Sequence, residues 1–273
     1  MSKIRLDVEM VNRGLCPSRE KARALILAGE VRVNGARADK AGQEIASDAE
    51  ITVVEDAIPF VSRGGLKLDK AIKVFPIDLK DRVCADVGAS TGGFTDVMLQ
   101  NGASHVYAID VGYGQLDWKL RNDARVTVME RTNARFMEPG WFDLPVTFAS
   151  IDVSFISLRL ILPPLYASMA EEGEVVALIK PQFEAGRAEI GKNGVVRDAA
   201  VHERVIRDML AFADGIGFSV EGVSYSPITG PKGNVEFLLY MRKGGPKNDA
   251  SLHKFSEQVP KIVTESHLLG KNG

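Results

Sequence analysis

Two cysteines in 273 residues, Cys16 and Cys84, allow one disulfide at most, so no disulfide framework holds this fold. Cys84 sits in an apolar, strand-like run where a buried thiol is expected. No Cys/His grouping has the spacing of zinc ligands, and no metal site is expected. Nowhere do apolar residues run together for the ~18 positions a membrane span needs. The start, Met1–Lys3 followed by Ile4-Arg5-Leu6-Asp7, lacks the apolar stretch of a signal peptide, so the expected location is cytoplasmic, without stable membrane insertion. A strong charge of either sign is also missing: the formal net charge of -2 does not announce a polyanion as partner. Its distribution says more. Residues 1–40 hold nine Lys/Arg against five Asp/Glu, while the remainder holds 25 against 31. A basic end on an acidic chain suits a polyanion-binding module.

What is present reads as two parts. In residues 1–56, Leu6, Met10 and Val11 have helical spacing that Gly14 ends, and Ser18 caps a second helix carrying Ala22, Leu25 and Ile26 up to Gly29. Val31-Arg32-Val33 alternates as a strand, Asn34-Gly35 predicts a tight turn, and Ile51–Val54 gives a further strand after Lys40-Ala41-Gly42. Ala57–Leu66, with Pro59 and Ser62-Arg63-Gly64-Gly65, is a junction. From Arg82 onward, strands at Val83–Val87, Val106–Ile109, Val126–Met129, Val146–Ile151 and Val175–Ile179 alternate with helices around Phe94–Asn101, Gln115–Arg121 and Leu158–Ala170. That order predicts an α/β fold, a parallel sheet covered by helices on both faces. A helix near Ala200–Gly215 follows, then two strands, Ser219–Tyr225 and Val235–Met241, that suit a hairpin at one sheet edge. A polar tail starts at Gly244-Gly245-Pro246.

Asp86-Val87-Gly88-Ala89-Ser90-Thr91-Gly92-Gly93-Phe94 ends the first long strand and opens a helix. Glycines here let the backbone pass beneath a ligand facing the helix N-terminus. The G-x-x-x-G-G spacing is neither the dinucleotide fingerprint nor a P-loop, which argues against NAD and ATP. Asp110 ends the next strand, where a carboxylate can accept from ribose hydroxyls, and Asn133 after the third strand is placed to edge an adenine. Taken singly, the glycines are explained by a tight turn and Asp110 by a helix cap. Together and in order, they favour an adenosyl ligand.

Asp152 follows the fourth strand and Lys180 the fifth, Glu236 begins a late strand, and Lys67 precedes the domain. Ribose hydroxyls are poor nucleophiles at neutral pH and need a base or a nearby cation. A lysine crowded by a second lysine and partly desolvated can lose its proton, and adjacent carboxylates would position both. Any one of these four residues, taken alone on its position, reads better as a solvated ion-pair member.

The residues resemble a known family over positions 3–243. The second part is similar to the FtsJ-like ribose 2'-O-methyltransferases, a Rossmann-like fold using S-adenosylmethionine. In that family a Lys-Asp-Lys-Glu tetrad surrounds the target hydroxyl, and Lys67, Asp152, Lys180 and Glu236 match it in order. Arg63-Gly64-Gly65-Leu66-Lys67-Leu68, Asp152-Val153-Ser154-Phe155-Ile156-Ser157 and Lys180-Pro181-Gln182-Phe183-Glu184 look like the TlyA group, in which Thr91 replaces the proline common before the paired glycines. The resemblance implies Lys180 as the base-like centre, Asp152 and Glu236 in support, Lys67 orienting the substrate, and Asp86, Gly88, Ala89, Ser90, Thr91, Gly92, Gly93, Phe94, Asp110 and Asn133 around the cofactor.

The first part resembles the alpha-L RNA-binding fold of a small-subunit ribosomal protein, through Arg5-Leu6-Asp7, Ser18–Arg23 and Gly29–Gly35. It implies RNA contacts from Arg5, Arg19, Arg23, Arg32 and Arg63, with Arg19 and Arg23 one helical turn apart on successive phosphates. The implied domains are 1–57 for RNA binding, 58–66 as linker, 67–244 for methyl transfer and 245–273 as tail. The implied substrate is a ribose, as of cytidine, in the ribosomal RNA of the ribosomal subunits. Three rival functions have weaker support. A base methyltransferase would show an Asn/Asp-Pro-Pro-aromatic loop or a Pro-Cys, and neither occurs. A pore-forming hemolysin, a label some relatives carry, would need a membrane-active segment. A non-catalytic assembly factor would have no use for an intact tetrad.

Overall fold

The computed structural model describes residues 3–16, 18–53, 58–245 and 249–269. Met1, Val54, Ala57 and Pro246, named above, lie outside the described residues. The chain divides into two compact units between Ser62 and Arg63.

In the first unit, strand β1 (Lys3–Arg5) runs into helix α1 (Leu6–Asn12), followed by helix α2 (Arg19–Ala28). Ser18 caps α2 by accepting from the Lys21 amide at 3.2 Å, and Gly29 ends it in the left-handed conformation that a side chain disfavours. Strands β2 (Val31–Val33) and β3 (Ala36–Arg37) form a hairpin around Asn34-Gly35, whose φ values of 49° and 78° suit a turn with both central residues left-handed. Strand β4 (Glu44–Ala46) pairs antiparallel with β1, and β5 (Ile51–Val53) pairs antiparallel with β2. Leu6, Met10, Ala22, Ile26, Val31, Ile45 and Ile51 meet in one small core.

The second unit opens with α3 (Gly65–Val74), then β6 (Val83–Val87), α4 (Gly93–Gln100), β7 (His105–Ile109), α5 (Trp118–Arg121) and β8 (Val126–Met129). Next come β9 (Phe148–Ile151), α6 (Leu162–Ser168), β10 (Glu174–Ile179), α7 (Pro181–Glu184), α8 (Ala199–Gly215), β11 (Phe218–Tyr225), β12 (Phe237–Lys243) and α9 (Asp249–Ser266). Seven strands form one sheet in the order β11-β12-β10-β9-β6-β7-β8. The five from β10 to β8 are parallel, and β12 runs antiparallel to both β10 and β11, the expected edge hairpin. The chain steps from β6 outward to β8 and then returns to the other side of β6 with β9. This reversal leaves a crevice at the carboxyl ends of β6 and β9, where ligands of open α/β sheets bind. β9 and β10 are buried along their whole length, which is why Val175–Ile179 reads as an unbroken apolar run.

Three segments differ from the sequence reading. Gly64-Gly65 looks like a linker, yet Gly65 begins α3, because Leu68 and Ala71 one turn apart face the core and outweigh the weak start. The helix expected over Leu158–Ala170 is broken into a 3-10 turn at Leu158–Leu160 and α6, since Pro163 and Pro164 fit only a helix's first turn. The polar tail carries α9, which buries Val259, Ile262 and Val263 at helical spacing against the main core.

Candidate active site

At the crevice the four tetrad positions meet. Strand β9 delivers Asp152 at its end, β10 delivers Lys180, Glu236 stands immediately before β12, and Lys67 projects from the first turn of α3. Helix α3 is held over β12 by Phe75, whose ring stacks on Tyr240 at 5.2 Å. Lys67 Nζ lies 2.7 Å from Glu236 Oε2 and 2.9 Å from Asp152 Oδ2, while Lys180 Nζ lies 2.6 Å from Asp152 Oδ1. The result is an alternating chain of charge, Glu236–Lys67–Asp152–Lys180. Lys67 and Lys180 are 8% and 6% exposed and Glu236 only 2%, so little water competes for these bonds. Gly230 leaves room for the Glu236 carboxylate, since a Cβ there would sit 2.9 Å from Oε1.

Burial works against charge on Lys67, but Asp152 and Glu236 outweigh it and hold the ammonium's pKa above its usual value. Burial likewise opposes charge on Asp152, and Lys67 and Lys180 outweigh it, keeping this carboxyl well below the usual range. Lys67 is thus a fixed cation rather than a lysine ready to lose its proton. Lys180 is bonded differently. Besides Asp152 it donates to Ser154 Oγ at 3.0 Å, and Ser154 is exposed.

The glycine-rich loop adjoins this array. Gly88 has φ +90°, and a Cβ on it would meet the Asp152 carbonyl oxygen at 2.7 Å. This glycine is needed first for two strand ends to pass each other. Gly92 (φ +92°) similarly clears the Leu116 and Leu120 side chains. Asp110 pins the loop, with Oδ2 accepting from the Ser90 amide at 2.8 Å and Oδ1 from the Gly112 amide at 2.7 Å. A carboxylate oxygen accepts more than one bond, so Asp110 keeps acceptor capacity for a diol. Ser90 is exposed, Thr91 half-buried, and Ala89 and Gly93 are buried beneath the loop. Asn133 is exposed and caps the turn at Ala134–Phe136 by accepting from the Arg135 amide.

Asp86 and Phe94 face inward instead. The Asp86 carboxylate accepts from the amide and hydroxyl of Thr95 at 2.9 and 2.7 Å and from Ser150 Oγ at 3.3 Å, tying β6 to α4 and β9. Burial pushes its pKa up to about 7, against the pull of the Thr95 bonds. Phe94 is 4% exposed and packed in the core. Arg63 is half-buried and donates to the Thr229 carbonyl at 2.9 Å, bracing the loop that leads to Glu236. In the first unit Arg5, Arg19 and Arg23 converge, whereas Arg32 is exposed on β2 and donates to the Gly35 carbonyl at 3.5 Å.

The sequence reading missed what the two quoted motifs do to each other. Glu184 accepts from Ser157 Oγ at 2.5 Å and from the Leu158 amide at 2.7 Å, clamping the loop after Asp152. Phe183 meets Phe155 with ring centroids 5.3 Å apart. Phe155 is 92% exposed with φ +64°, a strained conformation for a bulky residue that presents its ring to solvent beside the array. An apolar Phe155-Ile156 pair between Ser154 and Ser157, just after a strand end, was the available signal.

Comparison with known proteins agrees with this geometry. The profile for FtsJ-like methyltransferases matches residues 60–243, and that for the S4 domain matches residues 4–51. The Bacillus subtilis protein YqxC is 51% identical over 266 residues, covering 97% of this chain and 94% of its own. The Mycobacterium tuberculosis 16S/23S rRNA (cytidine-2'-O)-methyltransferase TlyA is 46% identical over 239 residues, 87% of this chain and 89% of its own. A solved structure from Streptococcus thermophilus with a hemolysin label is 49% identical, superimposes with a TM-score of 0.78, and covers 99% of this chain and 98% of that one. Such similarity along nearly the whole of each relative places the chain plainly: it belongs to the FtsJ-like methyltransferase family, in its TlyA group.

Proposed function

We propose that this protein methylates a ribose 2'-hydroxyl, that of a cytidine, in ribosomal RNA, using S-adenosylmethionine. The observation that carries the reading is the continuous Glu236–Lys67–Asp152–Lys180 array beside the glycine loop. The donor set fits the cofactor: an exposed Ser90, an Asp110 carboxylate with acceptor capacity left, and an exposed Asn133 border the crevice and would hold ribose and adenine. When bound, S-adenosylmethionine supplies a methyl group on a sulfonium, already a good leaving group, so positioning supplies much of the rate.

An ammonium makes three hydrogen bonds. Lys67 donates to Asp152 and is ion-paired with Glu236, and Lys180 donates to Ser154 and is ion-paired with Asp152, so each ammonium keeps donor capacity for the substrate. With both lysines charged the array is neutral. Loss of one proton from Lys180 leaves it singly negative and gives Nζ a lone pair to take the hydroxyl proton as the oxygen–methyl bond forms. Lys67, held charged, orients the hydroxyl and steadies Asp152. Phe155 offers a ring face on which an extruded base stacks. The S4 unit grips structured RNA through phosphates. As for the hemolysin label, no helix among the described residues is long and apolar enough to cross a membrane.

The test is transfer of labelled methyl from S-adenosylmethionine to unmodified ribosomal subunits, followed by nucleoside analysis. A 2'-O-methylcytidine product that disappears with Lys180→Ala is the expected result. A base-methylated nucleoside would overturn the role given to the array, and cofactor binding without transfer would point to an assembly factor.

A further inference from the structure

The arginines of the first unit share one buried partner. Asp7, the second residue of α1, has no exposed side-chain surface. Arg5 donates to it from Nε and Nη2, both at 3.0 Å, Arg19 from Nη2 at 3.1 Å, and Arg23 from Nε at 3.3 Å. Three guanidiniums from two separate elements thus close over one carboxylate. Each arginine side chain stays about half exposed, at 47%, 47% and 50%. These bonds leave most of each fork for phosphate oxygens.

The carboxylate is itself fixed. The Asp7 amide donates to the Ala41 carbonyl at 3.1 Å and the Leu6 amide to the Gln43 carbonyl at 2.9 Å. Gly42, between those two acceptors, lies against the Arg5 guanidinium, where a Cβ would come within 3.2 Å of Nη1. Without Asp7, three cations would repel one another and sample many rotamers before each binding event. With it, one charge is cancelled and the forks are aligned in advance. The bond from Arg5, reinforced by Arg19 and Arg23, keeps this carboxyl well below the ordinary carboxylate range despite its burial.

We propose that Asp7 is the positioning residue of a phosphodiester site on the RNA-binding unit, holding Arg5, Arg19 and Arg23 as one preorganised cluster of net charge two plus. The proposal rests on the ribosomal RNA reading above. It makes a prediction that charge counting reverses. Asp7→Asn adds a positive charge, so a site driven by charge alone would bind RNA at least as well. A site driven by positioning binds it more weakly. In the full-length protein, Asp7→Asn is expected to weaken binding to a ribosomal RNA fragment roughly ten-fold and to flatten the slope of log affinity against log salt by about one. S-adenosylmethionine binding, measured by calorimetry, should not change. Combined with Arg19→Gln, the losses should be less than additive, because both changes disable one cluster.

A second measurement needs no variant. In the wild-type protein, NMR should show the Nε–H protons of Arg5 and Arg23 protected from exchange and shifting together on RNA addition. Unprotected Nε–H signals, or an Asp7→Asn protein that binds RNA as tightly as wild type, would overturn the role of Asp7. Wild-type protein that fails to bind ribosomal RNA at all would overturn the functional reading as well, so the two failures are told apart.

Discussion

Asp152 serves two lysines at once, and the arrangement makes removal of one charge costlier than removal of two. Lys67→Met would leave Glu236, 2% exposed, without its cation. Breaking a buried pair in this way costs about 3–5 kcal/mol. Adding Glu236→Gln should recover much of that stability without restoring methyl transfer. Urea unfolding of both proteins beside a transfer assay would check this, and equal stability of the single and double variants would refute it. Asp86 makes a different residue-scale prediction. Its carboxyl has an ordinary value of 3.8 and rises to about 7 in the folded protein. Folded Asp86 therefore binds more proton than the unfolded group between those values, so its contribution to stability falls as pH rises through that window and levels off above it. Asp86→Asn, which can still accept from Thr95, should remove this contribution, seen as a Tm that rises relative to wild type between pH 4.5 and pH 7.5. From sequence alone Asp86 reads as a cofactor ligand, because a strand-end acid before a glycine loop looks the same whether it faces outward or toward Thr95.

At the scale of elements, β6 and β9 meet at Gly88 and Asp152, and α7 ties the loop after β9 in place. Glu184→Ala would remove the acceptor for Ser157 and Leu158. The loop would loosen, carrying Ser154 and Phe155 away from Lys180. The expected result is a fall in kcat of roughly 10–100-fold, the scale of a misplacement of about 1 Å, with cofactor affinity unchanged. Glu184→Gln preserves the Leu158 bond and lets Ser157 accept instead, so it should retain most of the rate; matching losses in the two variants would exclude a positioning role. Phe155→Gly separates stability from function in the same loop. It relieves a left-handed φ at a bulky residue, so Tm should hold or rise while the KM for RNA increases. Elements with strong local chemistry were legible: the capped α2, the Asn34-Gly35 hairpin, and the β-branched strands of the parallel sheet. Those depending on distant partners were not. The start of α3 is disguised by two glycines, and α9 by Pro260 and a polar sequence, because only packing against the core stabilises either one.

Across the whole molecule, the two units divide the labour implied by their residues, with an arginine cluster in one and an acid–lysine array in the other. A chain beginning at Arg63 retains α3, the complete seven-stranded sheet and every tetrad residue. It should fold and bind S-adenosylmethionine with wild-type affinity, yet lose RNA affinity together with most of the salt dependence that phosphate contacts confer. Ending the chain at Gly245 should act in the opposite way. Val259, Ile262 and Val263 on α9 complete the main core, and burying side chains of this kind contributes about 1.5–3 kcal/mol each. Their removal also uncovers His202 on α8, whose ring bonds to His267 at 2.9 Å and to the Val196 carbonyl at 3.1 Å. Burial holds the His202 pKa down to about 4. The folded protein resists taking up that proton, so the His202 contribution to stability declines as pH falls from the ordinary histidine value of 6.5 toward 4, opposite in sign to that of Asp86. With His202 exposed, its part of the decline should vanish even as overall Tm drops. Melting curves of the full and shortened chains at pH 5 and pH 7.5 would decide it. If the shortened chain kept the full chain's Tm, α9 would be an appendage; if truncation lowers Tm less at pH 5 than at pH 7.5, α9 is the cover that keeps His202 neutral, and an equal loss at both pH values would refute that role.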